Sequence, residues 1–352
     1  MNKVLNNYFK TTDALLISSR PNIVYLTDYS GFSQTERECF LLITKSKKYI
    51  ITDDRYSEAI KKQIPDFTLI NIGAPRFVSE GEKNIKDLIN LTVGVEENDL
   101  TVLEYKSLKK ITKKLVNIDL SHLRIVKDTK EIKNIRLACS IADKAFFNIL
   151  NELKTGVTEK EIASKINAFF KEKGDGISFN PTVAFGANSS IPHHVSSKTK
   201  LVNNSIVLFD FGAWVNNYCS DISRTIFFGK APEKFKKMHS VVLEAQKKSI
   251  DAIKPGVLAK EIDRIARNYI VSKGYPNILH SVGHGIGIEV HESPTLSPNS
   301  KDIIKNGMVF SVEPGIYIPG FGGVRIEDLV LVREGYAQLI SNARREIIEL
   351  HA

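Results

Sequence analysis

Apolar residues at helical spacing mark two long segments of this chain. Ile132, Ile135, Ala138, Cys139, Ala142, Phe146, Ile149, Leu150 and Leu153 recur at intervals of three and four, the stripe of one helix face. A comparable stripe runs through residues 236–253. After the first, Gly156 is placed at the helix C-cap, and Thr158 with Glu161 forms a capping box for a second helix that Gly174 ends. After the second, Pro255-Gly256 precedes a helix ending at Gly274. The heptapeptide Gly156-Val-Thr-Glu-Lys-Glu-Ile162 returns as Gly256-Val-Leu-Ala-Lys-Glu-Ile262, 100 residues on. Each copy continues into paired apolar runs that read as a hairpin. A duplicated helix–helix–hairpin unit follows, with a pseudo-two-fold axis that would bring the two hairpins together at its centre.

Upstream the pattern changes. Ala14-Leu-Leu-Ile17, Phe40-Leu-Leu-Ile43 and Tyr49-Ile-Ile51 read as short buried strands, alternating with helical patterns around 57–63 and 83–90 as in α/β domains. A chain of 352 residues exceeds what one core normally fills. The polar, basic stretch Ser121-His-Leu-Arg-Ile-Val-Lys-Asp128 marks the seam, which predicts domains at 1–123 and 124–352 in an α+β protein.

The two hairpins carry acids in distinctive settings. Asp210 lies in Val207-Leu-Phe-Asp-Phe-Gly212 and Asp221 in Tyr218-Cys-Ser-Asp-Ile-Ser-Arg-Thr225; Glu313 lies in Phe310-Ser-Val-Glu-Pro-Gly315 and Glu327 in Gly323-Val-Arg-Ile-Glu-Asp328. A turn near Val215-Asn216 sets Asp210 opposite Asp221, and a turn at Pro319-Gly-Phe-Gly322 sets Glu313 opposite Glu327. Opposed side chains have Cβ atoms roughly 4.5–5.5 Å apart, which suits two metal ions roughly 3.5–4 Å apart. Four converging negative charges repel unless neutralised, and two divalent cations would balance them while leaving a bridging hydroxide as nucleophile. His284, in Gly283-His-Gly-Ile-Gly-Ile-Glu-Val-His-Glu292, completes the set, its glycines letting backbone pass close to a ligand. Arg325, two residues before Glu327 on a strand, faces the same side and can orient a ligand oxygen. Alternation in an extended loop points His194 away from His193, and His122, His239 and His351 lack motif support and read as surface residues.

Composition removes other classes. The formal charge of +9 is spread along the chain, and the pairs Lys109-Lys110, Lys113-Lys114 and Lys247-Lys248 read as solvated helix faces, so no nucleic-acid partner is expected. No run reaches transmembrane length, the start has no signal-peptide core, and three cysteines (Cys39, Cys139, Cys219) without CxxC spacing fit a reducing cytoplasm. P-loop and dinucleotide fingerprints are absent.

Residues from about 125 to 350, through His280–Glu292 and the acidic motifs, resemble the catalytic domain of the pita-bread metallopeptidases: methionine aminopeptidase, aminopeptidase P and prolidase. Val24-Tyr-Leu-Thr-Asp-Tyr-Ser-Gly-Phe32 and Ile51-Thr-Asp-Asp-Arg-Tyr56 resemble the creatinase-type N-terminal domain, which implies dimerisation and a narrowed active-site mouth. The resemblance implies that Asp210 holds one metal and the substrate amine, His284 and Glu313 the other metal, and that Asp221 and Glu327 bridge both. It makes Glu313 a proton shuttle and gives His193, His280 and His291 substrate contacts or stabilisation of the tetrahedral intermediate. Ser223 stands where the family more often has Thr, keeping the hydroxyl. Two divalent ions are implied, Mn²⁺ favoured over Co²⁺, Fe²⁺ or Zn²⁺. The Val324-Arg-Ile-Glu-Asp328 pattern and the large N-terminal domain favour an Xaa-Pro peptidase over a methionine aminopeptidase, and five intact ligand positions disfavour a non-catalytic peptide-binding relative. Ile50–Tyr56 reads more like aminopeptidase P, so the expectation is an Xaa-Pro aminopeptidase acting on proline-containing peptides as a homodimer, with Xaa-Pro dipeptidase as the alternative.

Overall fold

In a computed structural model, residues 5–33, 35–72 and 90–350 are described. The chain divides into two compact units, Met1–Leu123 and Arg124–Ala352. The first is built on a six-stranded sheet in the spatial order Thr68–Asn71, Lys48–Thr52, Phe40–Thr44, Ala14–Ile17, Thr92–Val95, Lys114–Asn117. Its middle strands are unbroken apolar runs because both faces are covered: Leu15, Ile17, Leu41 and Ile43 enter one core, Ala14, Leu16, Phe40 and Leu42 the other. A helix spans Ser57–Gln63; the helical pattern around 83–90 lies, but for its last residue, outside the described residues, as does His351. Lys114 belongs to the strand Lys114–Asn117 rather than to a helix face.

The second unit shows the duplication in detail. Helices Thr129–Leu150 and Glu159–Lys173 form the first copy, Glu233–Asp251 and Ala259–Ser272 the second. Gly156 and Gly256 share a φ of +92°, and each donates its backbone N–H across to a following strand-like segment, to Leu201 O and Ile304 O respectively, both at 2.8 Å. Gly156 is not the C-cap: the first helix ends at Leu150 with Asn151 as its cap, and the glycine is needed further on, where the chain takes a left-handed turn. The Thr158–Glu161 capping box forms as the sequence predicts, and Gly174 caps the helix end. Each copy has its own core, one through Phe146, Ile162, Phe170 and Phe209, the other through Val242, Ile262, Ile270 and Phe310.

His239 is not a surface residue. It lies on the buried stripe of Glu233–Asp251 with Phe235, Met238, Val242 and Gln246, where helical spacing puts it, and its ring packs on Phe235 at 5.8 Å. Among the described residues no helix is long and apolar enough to cross a membrane, and Cys39, Cys139 and Cys219 are buried with no disulfide between them.

The hairpins decide where the acids go. Ser205–Phe211 pairs antiparallel with Ile222–Phe228, and the register sets Asp210 opposite Ser223, not opposite Asp221. The turn is centred one position later than the sequence suggests, on Asn216 and Asn217, both at positive φ (48° and 72°) as a two-residue hairpin turn requires. Asp221 therefore sits on the same face as Asp210 but on the diagonal. In the second hairpin, Val312 pairs with Asp328 on one side and Gly315 with Arg325 on the other, so the shared register sets Glu313 across from Glu327.

Candidate metal centre

Both acidic hairpins end at one cavity of about 590 Å³, lined by Asp210, Asp221, His284, Glu313 and Glu327, and also by His193, His280, His291 and Arg325. Within it, Asp221, His284 and Glu327 each offer a ligand atom lying within 4.8 Å of the others. Glu313 joins through Oε1, 3.3 Å from His284 Nε2, which is also 3.6 Å from Asp221 Oδ2. Asp210 faces the same space, but its Oδ2 accepts from Arg325 Nη2 at 2.6 Å.

Neighbouring groups fix each side chain. Ser223 Oγ donates to Glu327 Oε2 (2.7 Å) and accepts from Arg325 Nε (2.8 Å). On the other hairpin Ser311 Oγ donates to Glu313 Oε1 (3.0 Å) and accepts the N–H of His284 (3.0 Å). Gln246 Nε2, from the buried helix stripe, donates to Val312 O, Ile326 O and Asp328 Oδ2, tying down the backbone next to both glutamates. Arg224 donates to Glu327 O and to Asp328 Oδ1. Carbonyl oxygen of Gly285 lies 3.1 Å from His284 Nδ1; that bond puts the proton on Nδ1 and leaves the Nε2 lone pair turned to the carboxylates.

The donor set fits a cation. Asp221 Oδ1 and Glu327 Oε1 are buried and have no hydrogen-bond partner, an arrangement that costs several kcal/mol for an isolated charge. Burial, and then repulsion from Glu327, Asp210 and Glu313, pushes the Asp221 carboxyl well above the usual range; burial and repulsion from Glu313 and Asp210 do the same to Glu327. Burial also raises Glu313, against the pull of His280 and Arg325. Burial lowers His284, which keeps its imidazole neutral as a ligand must be. Positive charge from bound divalent ions would remove the repulsion and fill the two vacant oxygens.

The histidines differ among themselves. His291 stacks edge-on against His284 at 4.3 Å and stands at the rim with the exposed His193. His280 has both nitrogens committed: Arg325 Nη1 donates to Tyr317 Oη (2.9 Å), so Tyr317 O–H donates on to His280 Nε2 (2.8 Å), and Nδ1–H goes to Ser281 O (2.7 Å). Its ring thus orients Tyr317 rather than offering a free donor. His194 turns to Glu159 (2.8 Å), although it too borders the cavity. Sequence reasoning missed Tyr317, Ser311 and Gln246. Tyr317 was findable, since period two from Glu313 through Gly315 reaches it, as period two from Glu327 through Arg325 reaches its partner Gly323.

Comparison with known proteins agrees with this geometry. The chain is 37% identical to an Xaa-Pro dipeptidase of Pyrococcus horikoshii over 96% of its own length and 94% of the relative's. It superposes on an Xaa-Pro dipeptidase from Bacillus anthracis with a TM-score of 0.91 at 35% identity, covering 99% and 98% of the two chains. An X-Pro aminopeptidase from Thermotoga maritima superposes with a TM-score of 0.90 at 32% identity, covering 99% of each. Residues 10–126 match the creatinase/prolidase N-terminal domain, and residues 133–334 match metallopeptidase family M24, so the pita-bread fold with its acid-rich cavity places this chain in that family.

Proposed function

We propose that the chain is an Xaa-Pro dipeptidase, the alternative reading of the sequence, rather than the Xaa-Pro aminopeptidase that Ile50–Tyr56 favours. The observation that carries it is the cavity itself: a carboxylate-lined floor at Asp210, Asp221, Glu313 and Glu327 beneath a rim of imidazoles at His193 and His291. A dipeptide presents an amine at one end and a carboxylate at the other, and the two poles complement it. The relatives named as Xaa-Pro dipeptidases support the same choice.

Asp210, Asp221, His284, Glu313 and Glu327 would hold two divalent ions; hard oxygens with one imidazole suit Mn²⁺ or Co²⁺, and Fe²⁺ or Zn²⁺ less specifically. Such ions, when bound, supply Lewis acidity and a water acidified enough to act as nucleophile at neutral pH. Glu313, kept protonatable by burial and facing His280 Nδ1 through Oε2 at 4.0 Å, takes and returns the proton. His291 and His193 donate to the carbonyl and to the proline carboxylate. Arg325 holds Asp210 in place for the substrate amine. Proline has no N–H at the scissile bond, so a site that demands no donor there, with Phe179, Pro181 and Val290 as apolar wall, accepts the ring.

Comparing hydrolysis of Xaa-Pro dipeptides with Xaa-Pro-Yaa tripeptides tests this. Faster cleavage of the dipeptides is expected. Preference for the tripeptides would transfer the chain to the aminopeptidase reading, in line with the Thermotoga maritima structure, and release of Met from Met-Ala-Ser without Xaa-Pro cleavage would sink both.

A further inference from the structure

The two sequence repeats differ at one telling place. Thr158-Glu159 in the first copy is Leu258-Ala259 in the second, and both Glu159 and Ala259 are completely buried. The backbone makes the same tie in each: Glu159 N donates to Thr199 O (3.1 Å), Ala259 N to Asp302 O (2.9 Å). The repeat therefore closes without a carboxylate. In the first copy the carboxylate has other work. Its Oε1 accepts from Phe185 N (2.8 Å) and Asn188 Nδ2 (2.9 Å), and its Oε2 from His194 Nε2 (2.8 Å), Ser197 N (2.9 Å) and Ser197 Oγ (2.6 Å). Burial raises this carboxyl, yet the donors from Ser197, Asn188 and His194 outweigh it and hold it below the usual range, as an ionised anchor. All these donors belong to one segment, 185–197, which walls the cavity through Pro192, His193 and His194. On the cavity side Arg325 Nη1 donates to Pro192 O at 3.2 Å. Both neighbours of His193 are thus pinned, one by Arg325 and one by Glu159.

We propose that Glu159, which does not border the cavity, is a positioning residue: its buried carboxylate fixes segment 185–197 so that His193 stands at the rim where the peptide enters. The consequence for peptide binding rests on the dipeptidase reading above; the hold on the segment does not. Glu159→Gln keeps the shape but turns an amide N–H₂ toward donors, and Ser197→Ala removes one hydroxyl donor while leaving the chain otherwise intact, which covers the case in which the first variant folds poorly.

Hydrogen exchange is expected to rise in peptides covering 185–199 and nowhere else, with metal content at the wild-type level. On Xaa-Pro dipeptides KM is expected to rise about 10-fold with kcat little changed, the loss corresponding to one hydrogen bond to a charged group. In a His193→Ala background the same substitution is expected to change KM less than about twofold, because the residue it acts through is gone. Equal effects in both backgrounds, unchanged exchange at 185–199, or a fall in activity that tracks metal loss or global unfolding would each overturn the proposal. If wild-type protein cleaves no Xaa-Pro dipeptide, the functional reading fails, and exchange at 185–199 alone decides whether Glu159 holds the segment.

Discussion

Replacing Ser223 with alanine removes one oxygen from the middle of the site. Ser223 is fully buried, and its hydroxyl is the link between Arg325 Nε (2.8 Å) and Glu327 Oε2 (2.7 Å). Since Glu327 Oε1 already has no partner, the substitution leaves the whole carboxylate without a donor and strands one guanidinium N–H. A hydrogen bond to a charged group contributes about 1.5–3 kcal/mol, and two are lost together. Groups that orient a metal-binding carboxylate typically change metal affinity by about 10–100-fold, or roughly 1.4–2.7 kcal/mol. The expected result is a 10-fold or greater rise in the Kd for Mn²⁺, measured by competition with a chromophoric chelator. A lowered urea midpoint for the chelated protein is expected alongside it. Ser223→Thr keeps the hydroxyl and is expected to retain most of the affinity. A Kd for Ser223→Ala within twofold of wild type would refute the claim that this hydroxyl orients Glu327.

Exhaustive chelation is expected to abolish peptide hydrolysis and Mn²⁺ or Co²⁺ to restore it; full activity in metal-free protein would rule out the metal mechanism. Glu313→Gln is expected to eliminate turnover in a protein that still folds, since an amide cannot take the proton, and measurable steady-state hydrolysis would reassign the shuttle. His291→Ala is expected to lower kcat by about 10²–10³ while metal content stays near wild type; stoichiometric metal loss would make His291 a ligand instead. His239, pushed down to about 4 mainly by burial, stays neutral in the fold, whereas an unfolded histidine protonates near 6.5. Between those values the unfolded chain binds more protons, so stability present above about pH 6.5 falls as pH drops towards 4, by up to about 3 kcal/mol. His239→Leu is expected to flatten that slope in urea midpoints taken between about pH 7 and pH 4.5, and equal slopes would show that His239 does not carry it.

Much of the candidate site, as a set of residues that the fold brings to one cavity, is legible because its chemistry is concentrated in short segments. Glu313 and Glu327 flank a turn whose Pro319–Gly322 breakers fix its centre, and the register came out as the symmetry of the sequence suggests. His284 was legible from the glycines around it, which let strand backbones close in: a Cβ at Gly283 would run into the Ser311 carbonyl, and one at Gly285 into that of Ser293. What escaped were residues whose role depends on three-dimensional neighbours. Gln246 and His239 lie on an apolar helix stripe, and a polar residue at a core position is itself a signal that a buried partner awaits it; for Gln246 the partners are carbonyls beside two candidate ligands.

The first hairpin shows how small an error moves a site. A turn centred between Val215 and Asn216 pairs Asp210 with Asp221; centring it between Asn216 and Asn217 shifts the register by two residues and pairs Asp210 with Ser223. Asparagine tolerates the left-handed conformation that both turn positions adopt, whereas β-branched Val215 does not, and that decides the centre. Because side chains alternate with period two, the shift leaves Asp221 on the same face, so convergence of the acids survives the correction. The contact geometry does not. With the serine rather than the second acid facing Asp210, a hydroxyl enters the space between the strands, and Arg325 can reach Asp210 and Ser223 at once while Ser223 reaches Glu327. Direct opposition of Asp210 and Asp221 would have left no hydroxyl at that position. The diagonal puts Ser223 there, so the first hairpin supplies the donor that holds Glu327 of the second hairpin, where Glu313 and Glu327 do face each other directly.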